Sequence, residues 1–210
     1  NQMKPGWKTP DGRSMFGLEA VGSSVLFSTW KGTAFSQIEV WDAKEGTRPL
    51  VAFPKKADGG ACCLETDGKQ MVWFQASGYL GGELYSKVEL MKAPFTTSAG
   101  SLKPTVLRPA YQNDVLGGGG VVGGAYAAHL ERPAGADLDK ERLILTRLSD
   151  GHYWLIPSRP GLRWTATMYV SGDELAVLES NPNGFHATHW NIVRLSIASL
   201  GQPLPPGSGF

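Results

Sequence analysis

Cysteine is almost absent: two occur in 210 residues, and they are neighbours, Cys62 and Cys63. That count excludes a disulfide framework, and no spacing resembles a zinc site. Adjacent side chains on a strand point to opposite faces. The pair therefore reads as two buried small hydrophobes, with a vicinal disulfide or a reactive thiol as the alternative. Charge of one sign is lacking too. Lys and Arg total 20 against 19 Asp and Glu, a net charge of +1, and no basic stripe stands out, so no nucleic-acid partner is expected. No apolar run approaches the length of a membrane-spanning helix. The start, Asn1-Gln2-Met3-Lys4-Pro5, has neither an initiator Met nor a signal-peptide hydrophobic region, and it reads as a processed product or part of something longer. Helical periodicity is nearly absent as well.

What the chain has is turn formers and aromatics: 27 Gly, 14 Pro, 7 Trp, 6 Tyr and 8 Phe. This composition fits a turn-rich all-β protein. Short apolar runs recur in register. Ile38-Glu39-Val40-Trp41-Asp42, Val88-Glu89-Leu90-Met91-Lys92, Leu143-Ile144-Leu145-Thr146-Arg147 and Val193-Arg194-Leu195-Ser196-Ile197 begin 50, 55 and 50 positions apart. Each largely alternates apolar with polar residues, as a half-buried strand should. A glycine turn follows each run, at Gly46, Gly100, Gly151 and Gly201.

Three further strand types recur around these. A fourth strand, often opened by proline as suits an edge, follows the turn at Arg48-Pro49-Leu50-Val51, Lys103-Pro104-Thr105-Val106, His152-Tyr153-Trp154-Leu155 and Gln202-Pro203-Leu204. Second strands begin near Val25, Met71, Tyr126 and Leu175. First strands carry small side chains, as in Ala61-Cys62-Cys63-Leu64 and Gly120-Val121-Val122-Gly123, which suits a crowded innermost position. Four strands in about fifty residues, repeated four times, describe an all-β β-propeller with four-stranded antiparallel blades. The expected blades are residues 15–56, 57–112, 113–160 and 161–205, with 1–14 a leader that could latch the last blade and 206–210 a tail.

This repeat resembles those of bacterial secreted and periplasmic β-propellers, broadly the TolB-like kind, in pattern across nearly the whole chain. The resemblance implies a rigid binding scaffold, with enzymes a minority. It also implies a periplasmic or extracellular location, as does the missing initiator Met.

In such a fold the loops between second and third strands share one face with the loops between blades, and binding residues gather there. Trp30, Tyr79, Tyr85, Tyr111, Phe185 and Trp190 fall at or beside that face, with His186 and His189. Rigid aromatics suit a protein or glycan contact. The spacing of His186 and His189 on a loop does not aim them at one ion, so no metal is expected. Glycines at 117–120 lack the Lys-Ser/Thr of a phosphate loop, and no cofactor is expected. No G-x-S-x-G motif occurs. Glu131 and Glu179 occupy matching positions after second strands and read as solvated strand ends; alternatively they form an acid/base pair.

The expected function is a non-catalytic propeller that binds a protein or glycan through its loops. The alternative is a glycan-active hydrolase or lyase using Glu131 and Glu179. Partners would be a protein subunit or a glycan, with a second chain or missing segment completing the ring. A contact between the first and last units would argue against that completion.

Overall fold

The computed structural model describes residues 13–30, 36–55, 58–81, 84–111, 119–132, 136, 140–181 and 189–208. They form four antiparallel sheets arranged as the blades of a β-propeller. The first is β1 (Ser14–Val21), β2 (Ser24–Trp30), β3 (Ser36–Asp42) and β4 (Gly46–Val51). The second is β5 (Gly60–Thr66), β6 (Gln70–Gly81), β7 (Leu84–Pro94) and β8 (Thr105–Pro109). The third is β9 (Gly120–Gly123), β10 (Tyr126–Glu131), β11 (Arg142–Arg147) and β12 (Tyr153–Ile156). The fourth holds β13 (Arg163–Ser171), β14 (Glu174–Ser180) and β15 (Trp190–Ser196).

Here the structure departs from four equal blades. After β15 a 3-10 turn over Ile197–Ser199 diverts the chain, and Leu204 pairs with Tyr153 of β12 instead of extending the fourth sheet. Pro203 and Pro205 flank Leu204 and donate no ladder hydrogen bond. Its single N–H donates to the Tyr153 carbonyl at 2.8 Å and its carbonyl accepts from Tyr153 at 3.0 Å.

Two-residue periodicity gives each middle sheet two apolar faces. On β6, Met71 and Trp73 join Leu26, Ile38 and Val40 of the first blade, while Val72, Phe74 and Ala76 join Val122, Ala127 and Leu148 of the third. Burying a side chain such as Phe74 contributes roughly 1.5–3 kcal/mol. A further core, with Leu130, Leu145, Trp154, Trp164, Leu175 and Val177, joins blades three and four. Small residues let the inner strands close up: a Cβ on Gly123 would lie 2.0 Å from the Val170 carbonyl oxygen, and one on Gly119 would lie 2.6 Å from the Ala166 Cβ.

The inner strands pack in sequence order, β1 on β5, β5 on β9 and β9 on β13. Among the described residues no comparable packing returns from β13 to β1. The outward face of the first blade presents an apolar depression lined by Met15, Leu18, Val25, Phe27 and Trp41. The fourth blade exposes Tyr169, Trp190 and Ile192. No described helix is long and apolar enough to cross a membrane.

Candidate functional site

The loop-face aromatics do not form one surface. Tyr79 and Tyr85, expected at a loop between second and third strands, lie instead on β6 and β7, where Tyr79 pairs with Tyr85 and Gly81 with Leu84. Tyr85 is buried in the core between blades two and three, and its hydroxyl reaches the Gly59 carbonyl. That burial removes it from any contact surface. Tyr79 stays exposed, with its ring 5.6 Å from that of Tyr85. Tyr111 is half-buried, and its N–H is committed to Glu131. His189 and Trp190 are exposed at the start of β15. Trp30 ends β2, but its side chain lies outside the described residues, as do Phe185 and His186 entirely. Among the described residues no group of three or more His, Cys, Asp or Glu side chains could hold a metal.

Glu131 and Glu179 are neither solvated strand ends nor a carboxylate pair sharing one cleft. Each is fully buried and closes a junction between blades. Glu131 takes a bidentate ion pair from Arg108 of β8, and it accepts the Tyr111 N–H at 2.7 Å. Arg108 is itself buried. Its Nε donates to Thr146 at 2.8 Å, and its guanidinium carbon lies 5.3 Å from the centre of the Tyr153 ring. Glu179 accepts the Arg159 N–H at 2.9 Å and its Nε at 2.6 Å. In both junctions the backbone donor lies 20 residues before the glutamate.

A second carboxyl cluster, which sequence reasoning missed, sits on the inner strands. Glu65 of β5 is half-buried and hydrogen-bonded to Glu19 of β1, while the Gly120 N–H of β9 donates to it. Burial first, then the neighbouring Glu19 carboxyl, pushes Glu65 up to about 9 against the Gly120 bond. The signal was present: Gly17-Leu18-Glu19 and Cys63-Leu64-Glu65 lie at equivalent places 46 positions apart.

The two cysteines are buried, as expected, and are joined in the vicinal disulfide that stood as the alternative reading. The geometric objection is met by Cys63, whose φ of +58° lifts it out of strand conformation. His129, adjacent to this core on β10, is wholly buried against Phe74, with neither ring nitrogen hydrogen-bonded. Burial and then the Arg108 charge push it down to about 3.

No family model and no curated protein matches the chain. Solved structures do. A puromycin hydrolase aligns over 89% of this chain at 14% identity with a TM-score of 0.55. The β-propeller domain of the Trilobed protease from Pyrococcus furiosus aligns over 88% at 10% identity and 0.52. An apocarotenoid oxygenase from Synechocystis aligns over 91% at 9% identity and 0.51. The chain spans 28% of the puromycin hydrolase, 54% of the protease propeller and 49% of the oxygenase. These propellers belong to enzymes, which overturns the expectation of a non-catalytic binding propeller. At such identities the likeness establishes the fold, a β-propeller.

Proposed function

We propose that these blades are the propeller part of a hydrolytic enzyme acting on amide bonds of aminoacyl or short peptide substrates. The observation that carries the reading is the alignment of 88–89% of the chain with a puromycin hydrolase and with the propeller of a protease. Glycan cleavage by Glu131 and Glu179 is disfavoured, because both carboxylates are consumed by arginines and backbone N–H groups. The reacting groups are then residues other than Glu131 and Glu179. The apolar depression on the first blade and the exposed Tyr169 and Ile192 of the fourth support docking of further blades, giving an arc of a larger ring. The disulfide supports a periplasmic or extracellular location, where such bonds persist.

The test is amidase assay of the natural polypeptide that carries these blades, using aminoacyl-aminomethylcoumarins and puromycin. Release of the fluorophore or of the aminoacyl group supports the reading. A folded protein that turns over glycan substrates but no amide overturns it.

A further inference from the structure

Strands β1 and β5 solve the same geometric problem with different residues. Each carries one residue more than its neighbour in the ladder: Phe16 and Leu18 face the adjacent Ser28 and Phe27, and Cys62 and Glu65 face Phe74 and Val72. Such bulges bend an inner strand and re-aim the side chains beyond it. In β1 the extra residue is Gly17, at φ +59°, a conformation free to glycine. At the equivalent place β5 has Cys63, at φ +58°, the one described non-glycine residue with positive φ. An L-residue resists that conformation because its Cβ crowds the following carbonyl oxygen. What β5 has and β1 lacks is a covalent tie from that residue to its neighbour.

We propose that Cys62 and Cys63 form a reversible dithiol–disulfide couple whose state sets the register of β5. A dithiol reductant attacks through its thiolate at the sulfur of Cys63, the less buried residue of the two. The S–S bond breaks and Cys62 leaves as thiolate. The reductant's second thiolate then displaces Cys63. Two electrons and two protons end on the cysteines, and the reductant becomes a disulfide.

With the ring open, nothing covalent holds Cys63 in the left-handed region, and extended backbone becomes its lower-energy state. The extra residue leaves the bulge. A one-residue change of register sends each following side chain to the opposite face. Two contacts break together. The Cys63 N–H leaves the buried Ser28 hydroxyl of the first blade, 3.0 Å away in the oxidised form, and Glu65 leaves Glu19. The couple therefore controls the joint between blades one and two and the inner carboxyl pair.

Protein unfolded in guanidinium with iodoacetamide and no reductant should take up no alkyl group. After equilibration in graded dithiothreitol buffers, two groups should appear together. Amide exchange in β5 should quicken at least tenfold on reduction. Cys63→Gly restores the residue type of Gly17 and should keep slow exchange with or without reductant, whereas Cys63→Ala should exchange fast in both. If Cys63→Ala fails to fold, wild type against Cys63→Gly carries the test.

Stability gives an independent readout. Glu65 holds its proton to about 9 when folded against 4.5 in the unfolded chain, so the oxidised protein should lose stability as pH rises between those values. The reduced protein should lose less. Two free thiols under oxidising buffer, or identical β5 exchange in both redox states, would overturn the proposal.

Discussion

Arg108–Glu131 and Arg159–Glu179 occupy the same place in consecutive blade junctions, yet only one is sealed from water. In both, a glutamate at the end of a second strand is fully buried and captures a backbone N–H from the preceding inter-blade loop. The arginines differ. That of Arg108 is 0% exposed, held by Thr146, Glu131 and the Tyr153 ring, while that of Arg159 is 59% exposed. Beside Glu131 on β10 stands buried His129; at the equivalent position on β14 stands Val177. The third blade is thus built around buried charge, and the fourth keeps its cation in water. Identical hydrogen-bond topology need not mean equal energetic weight, because desolvation decides what a broken pair costs.

Arg108→Ala should have the largest effect. It strands the Glu131 carboxylate in a dry site, and removing one partner of a buried pair costs about 3–5 kcal/mol. Urea unfolding should report that loss as a lowered midpoint. The double change Arg108→Met with Glu131→Leu removes both charges and should recover most of the loss. A double variant as unstable as the single one would show that the pair's geometry, not the stranded charge, holds the junction.

His129 separates the two junctions by pH. Its folded value of about 3 lies below the ordinary imidazole value of 6.5, so the folded protein resists a proton that the unfolded chain accepts. Above 6.5 the group contributes nothing to the difference. As pH falls from there toward 3, stability is lost at up to about 1.4 kcal/mol per pH unit. His129→Leu gives blade three an apolar residue, as blade four has in Val177. The variant should gain on wild type below pH 6.5, by a margin that grows with acidity. Parallel stability curves for the two proteins would mean that the imidazole reaches water or a partner when protonated.

The blades were legible because two-residue periodicity and glycine turns report local backbone and one-sided burial, which repeat with the chain. Ile38, Val88, Leu143 and Val193 all landed in third strands. The repeat also put Glu131 and Glu179 at equivalent places. Their partners were not legible, because Arg108 and Arg159 belong to the preceding repeat unit and pairing across a junction leaves no local pattern. Tyr85 misled for a related reason: a polar, glycine-containing stretch looks like a loop whether or not its two arms continue the ladder. The role of Cys63 was hidden by its chemistry, since cysteine signals neither turn nor bulge. Only alignment of Cys63-Leu64-Glu65 on Gly17-Leu18-Glu19 exposes it.

Arg159→Ala should be the mildest change, and it is the sharpest test of the comparison. The alanine keeps the backbone N–H that donates to Glu179, so only the side-chain half of the latch is lost. Solvent already reaches the guanidinium, so water can occupy its place beside the carboxylate. Because the cation stands in water, the pair should behave like an exposed one, which contributes about 0.2–1 kcal/mol, although its carboxylate is buried. The loss should fall within that range. Screening supplies the second reading. Raising salt from about 0.05 to 0.5 M shortens the Debye length from roughly 14 to 4 Å. The cost of Arg159→Ala should therefore shrink with salt, while that of Arg108→Ala, with both partners out of solvent, should stay nearly constant. Equal losses for the two variants, with equal salt dependence, would mean that arginine burial does not set the strength of these junctions.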